Sequence, residues 1–428
     1  MSLLLRQVEL EEAVVDVRIE GDRIVEIGAG LCGSSRVVEA RGGTLLPGLH
    51  DHHLHLFAMA AAMASIDCSE SLDALATAPV NEGWVRGFGT ASTPDRHDLD
   101  AVRSDVPVRV QHRSGALWML NSRALAEVSS WLDGTADVER DKHGEPTGRL
   151  FRYDARLRAA LPSTLPDLGG VVARLHRYGI TGVTDATPDL SPAAVEALTA
   201  LSGIRVTLLG GLTGPRKLLL RDHDLPTYDD LVQVIGGTHA AGRPVAVHCV
   251  TPESLLLTLA ALREVGSVPG DRIEHAAVVP IGIAEALAAL GLAVVTQPSF
   301  LRLRGDEYLR DLDREDIARL YPYRSLLDAG VRVAASSDAP YGDADPWRTM
   351  ADAAARRTRR GRVLGPRERV NPVEVLTGYL SPPDDPGGAA RRVEVGALAD
   401  LCLLKAPLRS GEPQVRAVVV GGEAFEQP

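Results

Sequence analysis

Short apolar segments alternate with longer stretches of helical periodicity through the middle of this chain, and this alternation limits the folds available to it. The apolar segments lie at residues 181–184, 245–248, 272–275, 293–296 and 331–335. Strands that alternate with helices in this way pair in parallel, either as a closed barrel or as a doubly wound sheet. The sequence therefore predicts an α/β protein with a parallel sheet at its centre.

The glycine patterns of the chain favour the barrel over the doubly wound sheet. No Gly-x-Gly-x-x-Gly motif opens a helix and no Gly-x-x-x-x-Gly-Lys loop occurs, although nucleotide-binding sheets depend on such loops to approach phosphate groups. We therefore predict a (β/α)8 TIM barrel. In such barrels the functional groups stand at the carboxyl ends of the strands.

Both ends of the chain have a different character, because they consist of short strand-like segments separated by tight-turn signals. This similarity predicts that the two ends form one small β-sandwich, with residues 1–46 as its first part and residues 391–428 as its second. The barrel then occupies residues 47–390. Within it, the irregular segment at about residues 84–160 is predicted to be a long insertion that lines or covers the pocket.

Composition and charge exclude several classes of function. The formal net charge of the 428 residues is −11 at pH 7, whereas nucleic-acid binding requires a basic surface. The chain has no apolar run long enough to span a bilayer, and its first residues do not resemble a signal peptide. Its four cysteines include no Cys-x-x-Cys pair, which is typical of the reducing cytoplasm. We therefore expect a cytoplasmic protein without nucleic-acid or membrane partners.

Four of the twelve histidines stand within six positions, next to the apolar segment at residues 44–49. Side chains of a strand alternate between its two faces, so His53 and His55 project together. His50 and His52 then face the opposite side. Two imidazoles at this spacing can bind one metal ion. The alternative is a solvated, histidine-rich edge strand, which the position at the end of a buried segment makes less favourable.

Three further candidate ligands stand at the ends of later apolar segments. His248 and His275 each end such a segment, and Asp338 follows another one closely. A single histidine at a strand end is more often structural, and an aspartate before a proline often starts a loop. The ends of barrel strands converge on one pocket, however, so these residues together predict a site for Zn²⁺ or a similar divalent metal. Asp338 can also take a proton from water that such a metal activates.

The same residues resemble the amidohydrolase superfamily in type and order. The matching motifs are PGLHDHHLH at residues 47–55, His248, His275, SDAP at residues 337–340 and GALADL at residues 396–401. Within the superfamily the chain is most similar to amidohydrolase family 3, the branch that contains N-substituted formamide deformylases. This finer match rests on NSRAL at residues 121–125, GEPTG at residues 144–148 and GITGVT at residues 179–184.

This resemblance implies a (β/α)8 barrel flanked by a β-sandwich, and hydrolysis at a carbon centre by metal-activated water. It also implies that Asp338 is the general base, which then delivers the proton to the leaving nitrogen. The chain departs from the family 3 pattern at two places. Arg152 stands where a glutamate is usual, and Cys249 follows His248 where an alanine is usual. The resemblance therefore leaves the substrate open.

Lys217 raises the question of whether the site binds one metal ion or two. Many members of the superfamily bridge two ions with a carboxylated lysine of the fourth barrel strand, and Lys217 lies between the third and fifth predicted strands. Only three of the 46 basic residues are lysines. A lysine here indicates a role that arginine cannot fill, since a guanidinium does not readily lose its proton. The alternatives are a surface lysine and an ammonium group that binds the substrate.

Further residues are predicted to bind the substrate around the metal. They are His112, Arg113, Trp118 and Asn121 in the insertion, Gln297 at the end of a strand, and Tyr341 after Asp338. His112 or Arg113 can polarise a carbonyl group or bind a carboxylate. The two aromatic residues of this set are equally compatible with simple packing.

We interpret the chain as a metal-dependent hydrolase that cleaves a non-peptide C–N bond in an amide, an N-formyl group or a cyclic imide. Its partner is a small-molecule substrate, and assembly as a homodimer is left open. The alternatives for the same site are a lactone or ester hydrolase and a deaminase. A metal-binding protein without turnover is disfavoured, because purely structural zinc sites need no base such as Asp338.

Overall fold

The computed structural model describes residues 2–161 and 165–427 of the chain. The chain divides into two compact units, one formed by Met1–His55 with Val172–Pro428 and the other by Leu56–Val171. Both units combine strands and helices, in agreement with the predicted α/β class. None of the helices in these described ranges has the length and apolar character that a bilayer-spanning helix requires.

The chain begins with a series of short strands. They are β1 (Ser2–Leu10), β2 (Ala13–Glu20), β3 (Arg23–Gly28), β4 (Arg36–Glu39), β5 (Leu45–Pro47) and β6 (Leu49–Leu54). The first four form a sheet in the order β3-β2-β1-β4, in which β1 pairs antiparallel with β2 and parallel with β4. Strand β6 differs from them because all of its residues are buried, as expected for a strand of a parallel sheet that is covered on both faces.

The second unit has its own sheet and its own hydrophobic clusters. Its elements are α1 (Leu56–Met63), β7 (Ile66–Asp67), β8 (Val85–Thr90), α2 (Arg96–Val102), β9 (Val108–His112), β10 (Leu117–Leu120), α3 (Ser122–Glu127), β11 (Val138–Arg140), β12 (Pro146–Phe151) and α4 (Asp154–Ala160), with short 3-10 helices at Asp73–Thr77 and Ser129–Trp131. The strands have the order β11-β12-β10-β9-β8-β7. This unit extends beyond both ends of the predicted insertion, because the chain from Leu56 to Val171 belongs to it.

The remaining chain contains the long alternation of strands and helices and then three final strands. These elements are α5 (Gly169–Arg177), β13 (Ile180–Asp185), α6 (Pro192–Thr199), β14 (Arg205–Leu208), β15 (Arg216–Leu219), α7 (Tyr228–Ala240), β16 (Val245–Cys249), α8 (Pro252–Val265), β17 (Arg272–His275), α9 (Ile283–Ala289), β18 (Ala293–Thr296), α10 (Ser299–Asp311), α11 (Arg314–Ala318), α12 (Arg324–Asp328), β19 (Arg332–Ala335), α13 (Pro346–Ala355), α14 (Pro372–Leu380), β20 (Leu401–Leu404), β21 (Val415–Val420) and β22 (Glu423–Glu426). Short 3-10 helices lie at Pro366–Glu368 and Leu408–Ser410.

Eight strands of the first unit run parallel and correspond to the alternation in the sequence. Three of them form a sheet in the order β14-β13-β6, and five form a sheet in the order β15-β16-β17-β18-β19. Backbone hydrogen bonds connect the two sheets on both sides, from Lys217 N to Leu209 O at 2.9 Å and from Asp338 N to His53 O at 2.8 Å. The predicted parallel architecture is therefore confirmed. The strand ladders of the described residues do not close into one barrel, so closure stays a prediction.

The two ends of the chain pack on each other through a further sheet. Strands β22, β21, β20 and β5 pair in this order, all antiparallel. Buried side chains of this sheet, such as Leu401 and Val419, belong to the same hydrophobic cluster as Leu5 and Val17 of the N-terminal sheet. The two ends therefore share one core, although they are far apart in the sequence.

Candidate metal centre

Three side chains from the ends of different parallel strands meet in the interior of the first unit. His53 lies near the end of β6, His275 ends β17, and Asp338 follows β19. One potential ligand atom of each residue lies within 4.8 Å of those of the other two, and all three residues are buried. The two nitrogen donors and one oxygen donor of this cluster are typical of a zinc-type site.

The backbone turns sharply at two of these three residues. His275 has φ of +72° and Asp338 has φ of +52°, which is the left-handed region where His and Asp occur more often than most non-glycine residues. The turn at His275 ends the regular alternation of β17. Non-glycine residues in this conformation concentrate at functional sites, and here the turns occur at the residues whose side chains meet.

The imidazole rings are oriented by side-chain oxygen atoms that contact their Nδ1 atoms. The pairs are His53 with Glu274, His275 with Gln297 Oε1 at 2.7 Å, and His55 with Thr187 Oγ1 at 3.1 Å. Where the oxygen is an acceptor, Nδ1 carries the proton and Nε2 keeps its lone pair. Histidines that bind a metal usually donate the other ring N–H to such a partner. The rings of His53 and His275, whose partners are a carboxylate and an amide oxygen, are therefore arranged to present Nε2 as a ligand.

Glu274 belongs to a charged pair that the sequence interpretation did not assign to the site. Its carboxylate contacts both the His53 ring and Arg272, and Arg272 Nη2 also donates to His52 O at 2.7 Å. Burial raises the pKa of Glu274, but the charges of Arg272 and His53 hold it well below its usual range. An Arg-x-Glu pair directly before the candidate ligand His275 was the available signal, because residues two apart share a strand face.

Burial also determines the charge of the candidate ligands. It lowers the pKa of His53 to about 3, and it lowers the pKa of His275 and of His248. Burial alone raises the pKa of Asp338, but the hydrogen bond from His55 and the adjacent imidazoles lower it below its ordinary value. The cluster thus contains neutral imidazoles and an ionised carboxylate, which are the protonation states that metal binding requires.

His55 and His248 border this cluster. Nε2 of His55 lies 3.2 Å from Asp338 Oδ1, and its ring centroid lies 5.6 Å from that of His53. The ring centroid of His248, on β16, lies 4.4 Å from that of His275. All four predicted histidine ligands are thus connected to one another or to Asp338, and the assignment of His55 and His248 as ligands stays a prediction.

Lys217 extends from β15 into the same region. Its side chain is buried, and within the described ranges no hydrogen-bond acceptor contacts its Nζ. Burial lowers the pKa of Lys217, while the carboxylates of Glu274 and Asp338 raise it. A buried amino group without a partner is unfavourable. The position therefore suits a lysine that is neutral, chemically modified or in contact with a bound group.

Gln297 lies beside the cluster and contacts one of its histidines. Its Oε1 accepts from the His275 ring, its Nε2 donates to Ser336 Oγ at 2.9 Å, and the residue is completely buried. Both ends of the amide are occupied by protein groups, so the structure gives Gln297 the role of orienting His275. Tyr341 was also predicted to bind the substrate, and its ring centroid lies 5.7 Å from that of His55. Its contact with substrate stays a prediction.

The other four predicted substrate-binding residues lie in the second unit. Asn121 is completely buried; it caps α3 by accepting from Ala124 N at 2.9 Å, and its amide donates to two backbone carbonyls. These contacts hold its side chain within the second unit, and its contact with substrate stays a prediction. Trp118 is 5% exposed and belongs to a hydrophobic cluster. The sequence left open whether Trp118 binds substrate or simply packs, and its place in this cluster fits the packing alternative.

His112 and Arg113 follow each other at the end of β9. The His112 ring contacts Ser114 Oγ at 2.8 Å and the carbonyl of Ala91 at 3.3 Å. The backbone N–H of Arg113 donates to Thr90 O at 2.9 Å. Their proposed contacts with substrate stay predictions.

The residues of the cluster fit a divalent metal ion. They offer neutral nitrogen and anionic oxygen donors, their rings are held with Nε2 available, and the surrounding charges of Arg272 and Glu274 balance each other. Zn²⁺ and similar ions select this combination of donors.

Comparison with known proteins shows which family the whole chain resembles. A family model described as the amidohydrolase family matches residues 36–424. N-substituted formamide deformylase from Arthrobacter pascens is 26% identical, with 91% of this chain and 89% of that protein covered.

Solved structures support the fold. An uncharacterized metal-dependent hydrolase from Pyrococcus horikoshii OT3 has a TM-score of 0.74 at 19% identity, covering 96% of this chain and 99% of that one. One from Pyrococcus furiosus has a TM-score of 0.70 at 20% identity, covering 95% and 99%. The resemblance found in the sequence is confirmed: the chain belongs to the amidohydrolase family, and its enzyme class is that of hydrolases acting on carbon–nitrogen bonds other than peptide bonds.

Proposed function

We propose that this enzyme hydrolyses an amide, an N-formyl group or a cyclic imide of a small molecule, with a metal ion held by His53, His275 and Asp338. The observation that carries the proposal is the meeting of these three buried side chains from the ends of three parallel strands. His55 and His248 are the further proposed ligands. When bound, a divalent ion supplies Lewis-acid activation of water and of the carbonyl oxygen.

Asp338 is the proposed general base. Its carboxylate is ionised, and its Oδ1 lies 3.2 Å from His55 and 3.6 Å from His53, at the centre of the cluster. It accepts a proton from the attacking water, and it then returns this proton to the nitrogen that leaves the tetrahedral carbon. The contacts of Asp338 N with His53 O at 2.8 Å and of Ala339 O with His55 N at 2.9 Å hold the carboxylate beside the imidazoles.

We propose Zn²⁺ as the ion, because a histidine-rich set with one carboxylate is typical of catalytic zinc sites. We further propose that the eight parallel strands form one closed (β/α)8 barrel at residues 47–390. The sheets at the two chain ends would then be the halves of a β-sandwich, with parts at residues 1–46 and 391–428. The shared hydrophobic core of these sheets supports this division.

A second ion depends on Lys217. The proposed role is a carboxylated lysine that bridges two ions, and the buried Nζ without a hydrogen-bond partner in the described residues supports it. Lys217 pairs with Ala246, two residues before the level of His248 in the neighbouring strand. The long side chain has to extend towards the strand ends, and its charge does influence the pKa of His53 and His248. An arginine at this position would be unable to form the bridge.

The test of this function is a hydrolysis panel on protein of measured metal content. The panel contains N-formyl, N-acyl, cyclic imide, lactone and amino-substituted ring compounds, with ammonia release followed in parallel. We expect turnover of at least one C–N substrate without free ammonia from an amino-substituted ring. Failure of every C–N substrate together with lactone hydrolysis would replace the proposal by an esterase, and ammonia release from such a ring would replace it by a deaminase.

The Asp338→Asn variant tests the general base within that panel. Loss of the proton-accepting carboxylate is expected to lower kcat by about 10²- to 10⁴-fold, and metal content is measured beside the rate because Asp338 is also a proposed ligand. Asp311→Asn is the matched control, since Asp311 is an exposed carboxylate at the end of α10. An Asp338→Asn enzyme with the rate of the control would eliminate this role.

A further inference from the structure

An apolar and aromatic wall stands next to the metal centre. It is a cluster of buried side chains from the segment after β17, from α10, from the segment before α12 and from the segment after α13. Its members are Ala277, Val278, Phe300, Leu301, Leu320, Tyr321 and Leu364. Tyr341 and Tyr308 pack against this cluster and are only partly buried.

Backbone contacts fix the wall to the residues that carry the candidate ligands. Tyr321 N donates to Ala277 O at 2.7 Å, and Ala277 follows His275 by two positions. On the other side, a Cβ atom at Gly342 would lie 3.1 Å from Cε1 of Phe300, so the Phe300 ring touches the loop after Asp338. The wall thus spans the space between the ends of β17 and β19.

Arg356 keeps the far side of the wall in place. It is completely buried, and its guanidinium donates to the carbonyls of Tyr321 at 2.9 Å, Leu320 at 2.6 Å and Leu364 at 2.8 Å. Removing those three carbonyls from water without a donor would be unfavourable. The wall is therefore a pre-formed surface, which is what specific ligand binding requires.

Arg304 is the cation of this wall. It lies one turn after Phe300 on α10, its Cζ is 4.3 Å from the centroid of the Phe300 ring, and it is partly exposed. No carboxylate within the described part of the chain forms an ion pair with it. Arg302 on the same helix differs, because it pairs with Asp343 and Asp352 at 2.8 Å each.

Tyr321 packs beside Phe300, the ring on which Arg304 stacks. Its hydroxyl lies 3.2 Å from that of Tyr308, and its ring centroid lies 5.9 Å from that of Phe300. Burial and the Tyr308 hydroxyl raise the pKa of Tyr321 well above its usual range, while Arg304 lowers it and Asp338 raises it. The charges of Arg304 and Asp338 therefore act on the same phenol in opposite directions.

We propose that the substrate of this enzyme carries a carboxylate next to an aromatic or apolar substituent on the nitrogen, and that Arg304 binds this carboxylate. The inference rests on the proposed function, since it names the substrate class of the same site. An arginine stacked on an aromatic ring keeps its in-plane N–H groups available, and these match the two oxygens of a carboxylate. The aromatic residues beside it supply the surface for the apolar substituent.

The test compares two substrates that differ by one carboxylate. N-Formylphenylalanine, as both enantiomers, and N-formyl-2-phenylethylamine share their apolar group and their scissile bond. We expect kcat/KM of the wild type to favour one enantiomer of N-formylphenylalanine. In Arg304→Met, KM for that substrate should rise by about 10- to 100-fold, the usual effect of losing a hydrogen bond to a charged group, while the neutral substrate keeps its kcat/KM.

Arg310→Met is the matched control. Arg310 is an exposed arginine in the last turn of the same helix, so this variant removes the same charge and adds the same side chain elsewhere. The melting temperature of both variants is recorded, because the methionine at position 304 keeps the aliphatic contact with Phe300. An unchanged substrate preference in a folded Arg304→Met enzyme overturns the inference.

Calorimetric titration with 3-phenylpropanoate separates this inference from the proposed function. This carboxylate has no C–N bond, so its binding is independent of turnover. If the neutral formamide is hydrolysed but binding and preference are the same in Arg304→Met and Arg310→Met, the inference fails and the function stands. If no C–N substrate of the hydrolysis panel, the two formamides included, is hydrolysed but 3-phenylpropanoate binds Arg310→Met and not Arg304→Met, the function fails and the inference stands. Absence of both turnover and binding contradicts both.

Discussion

Individual residues of this centre have roles that depend on their neighbours more than on their type. His53 and His275 are alike in sequence, and each has a different acceptor behind it, a carboxylate for His53 and an amide for His275. A carboxylate behind the ring increases the basicity of the opposite nitrogen more than a neutral amide does. We therefore expect His53 to be the stronger of the two metal ligands.

Gln297→Leu tests whether such an acceptor controls metal binding. The leucine has a similar size but leaves Nδ1 of His275 without an acceptor, so the ring loses its fixed orientation. We expect the affinity for Zn²⁺ to fall by about 10- to 100-fold, as is usual for residues behind a ligand, in titrations against a competing chelator.

Gln297→Glu is the rescue variant and Gln414→Leu the surface control. The glutamate provides an acceptor for His275 Nδ1 again, so we expect its Zn²⁺ affinity to return to that of the wild type or to exceed it. Gln414 is exposed in a loop before β21, so its replacement should leave affinity unchanged. Equal affinities for Gln297→Leu and Gln414→Leu would show that Gln297 does not position His275.

At the scale of the element, β6 illustrates how one strand combines packing with chemistry. His50 Nε2 contacts Thr184 Oγ1 at 2.9 Å, and His52 Nε2 donates to Gly378 O at 3.1 Å. Gly182 accommodates the His50 ring, because a Cβ there would lie 2.6 Å from His50 Nδ1. The same strand directs His53 to the metal centre, so its polar residues are buried on both faces.

The buried histidines of β6 predict a pH dependence of stability. Burial lowers the pKa of His52 to about 3 and that of His50 well below its usual range. The unfolded chain binds protons on these rings below about pH 6.5 and the folded chain does not, so their contribution to stability is complete above about pH 6.5 and is lost as the pH falls. Asp51 acts in the opposite direction below pH 6, because burial raises its pKa to about 6.

Urea unfolding of chelator-treated protein at pH 7.5, 6.5 and 5.5 measures this effect. Each histidine is expected to reduce the free energy of unfolding by about 1.4 kcal/mol per pH unit below pH 6.5. His52→Gln keeps a side-chain donor for Gly378 but does not titrate. As the pH falls, the free energy of unfolding of this variant should decrease less steeply than that of the wild type. The difference in slope should correspond to one proton per molecule. An identical slope in the two proteins would mean that His52 is protonated in the folded state.

At the scale of the whole molecule, the sequence was most informative where the chemistry repeats. The parallel strands were predictable because apolar segments recur with helices between them, and polar residues stand at their ends. The candidate ligands were found for the same reason, since one histidine at a strand end is weak evidence and several in order are strong evidence.

The features that the sequence did not reveal depend on contacts between distant segments. Gln297 was assigned to the substrate, but its distance from His275 is set by the pairing of β17 with β18, which spacing along the chain does not report. Asn121 appeared polar and available, but it caps a helix in a buried position. Glu274 was overlooked because its partner His53 lies 221 positions away.

The bounds of the second unit were also difficult to predict. Strand β7 has only two residues and pairs in parallel with β8, so no periodicity marks the start of this unit. Its first helix, α1, directly follows the histidine-rich strand. In the sequence, a short strand and an apolar helix at this place look like one more strand and helix of the barrel.

The number of metal ions per chain, measured by elemental analysis of the purified protein, tests the metal centre most directly. The double variant His53→Asn/His275→Asn and Lys217→Arg are measured beside His143→Asn, which changes an exposed histidine of the second unit. We predict two ions in the wild type and in His143→Asn, one in Lys217→Arg, and none in the double variant, with circular dichroism spectra unchanged. A folded double variant that keeps the metal content of the wild type would contradict the proposed centre.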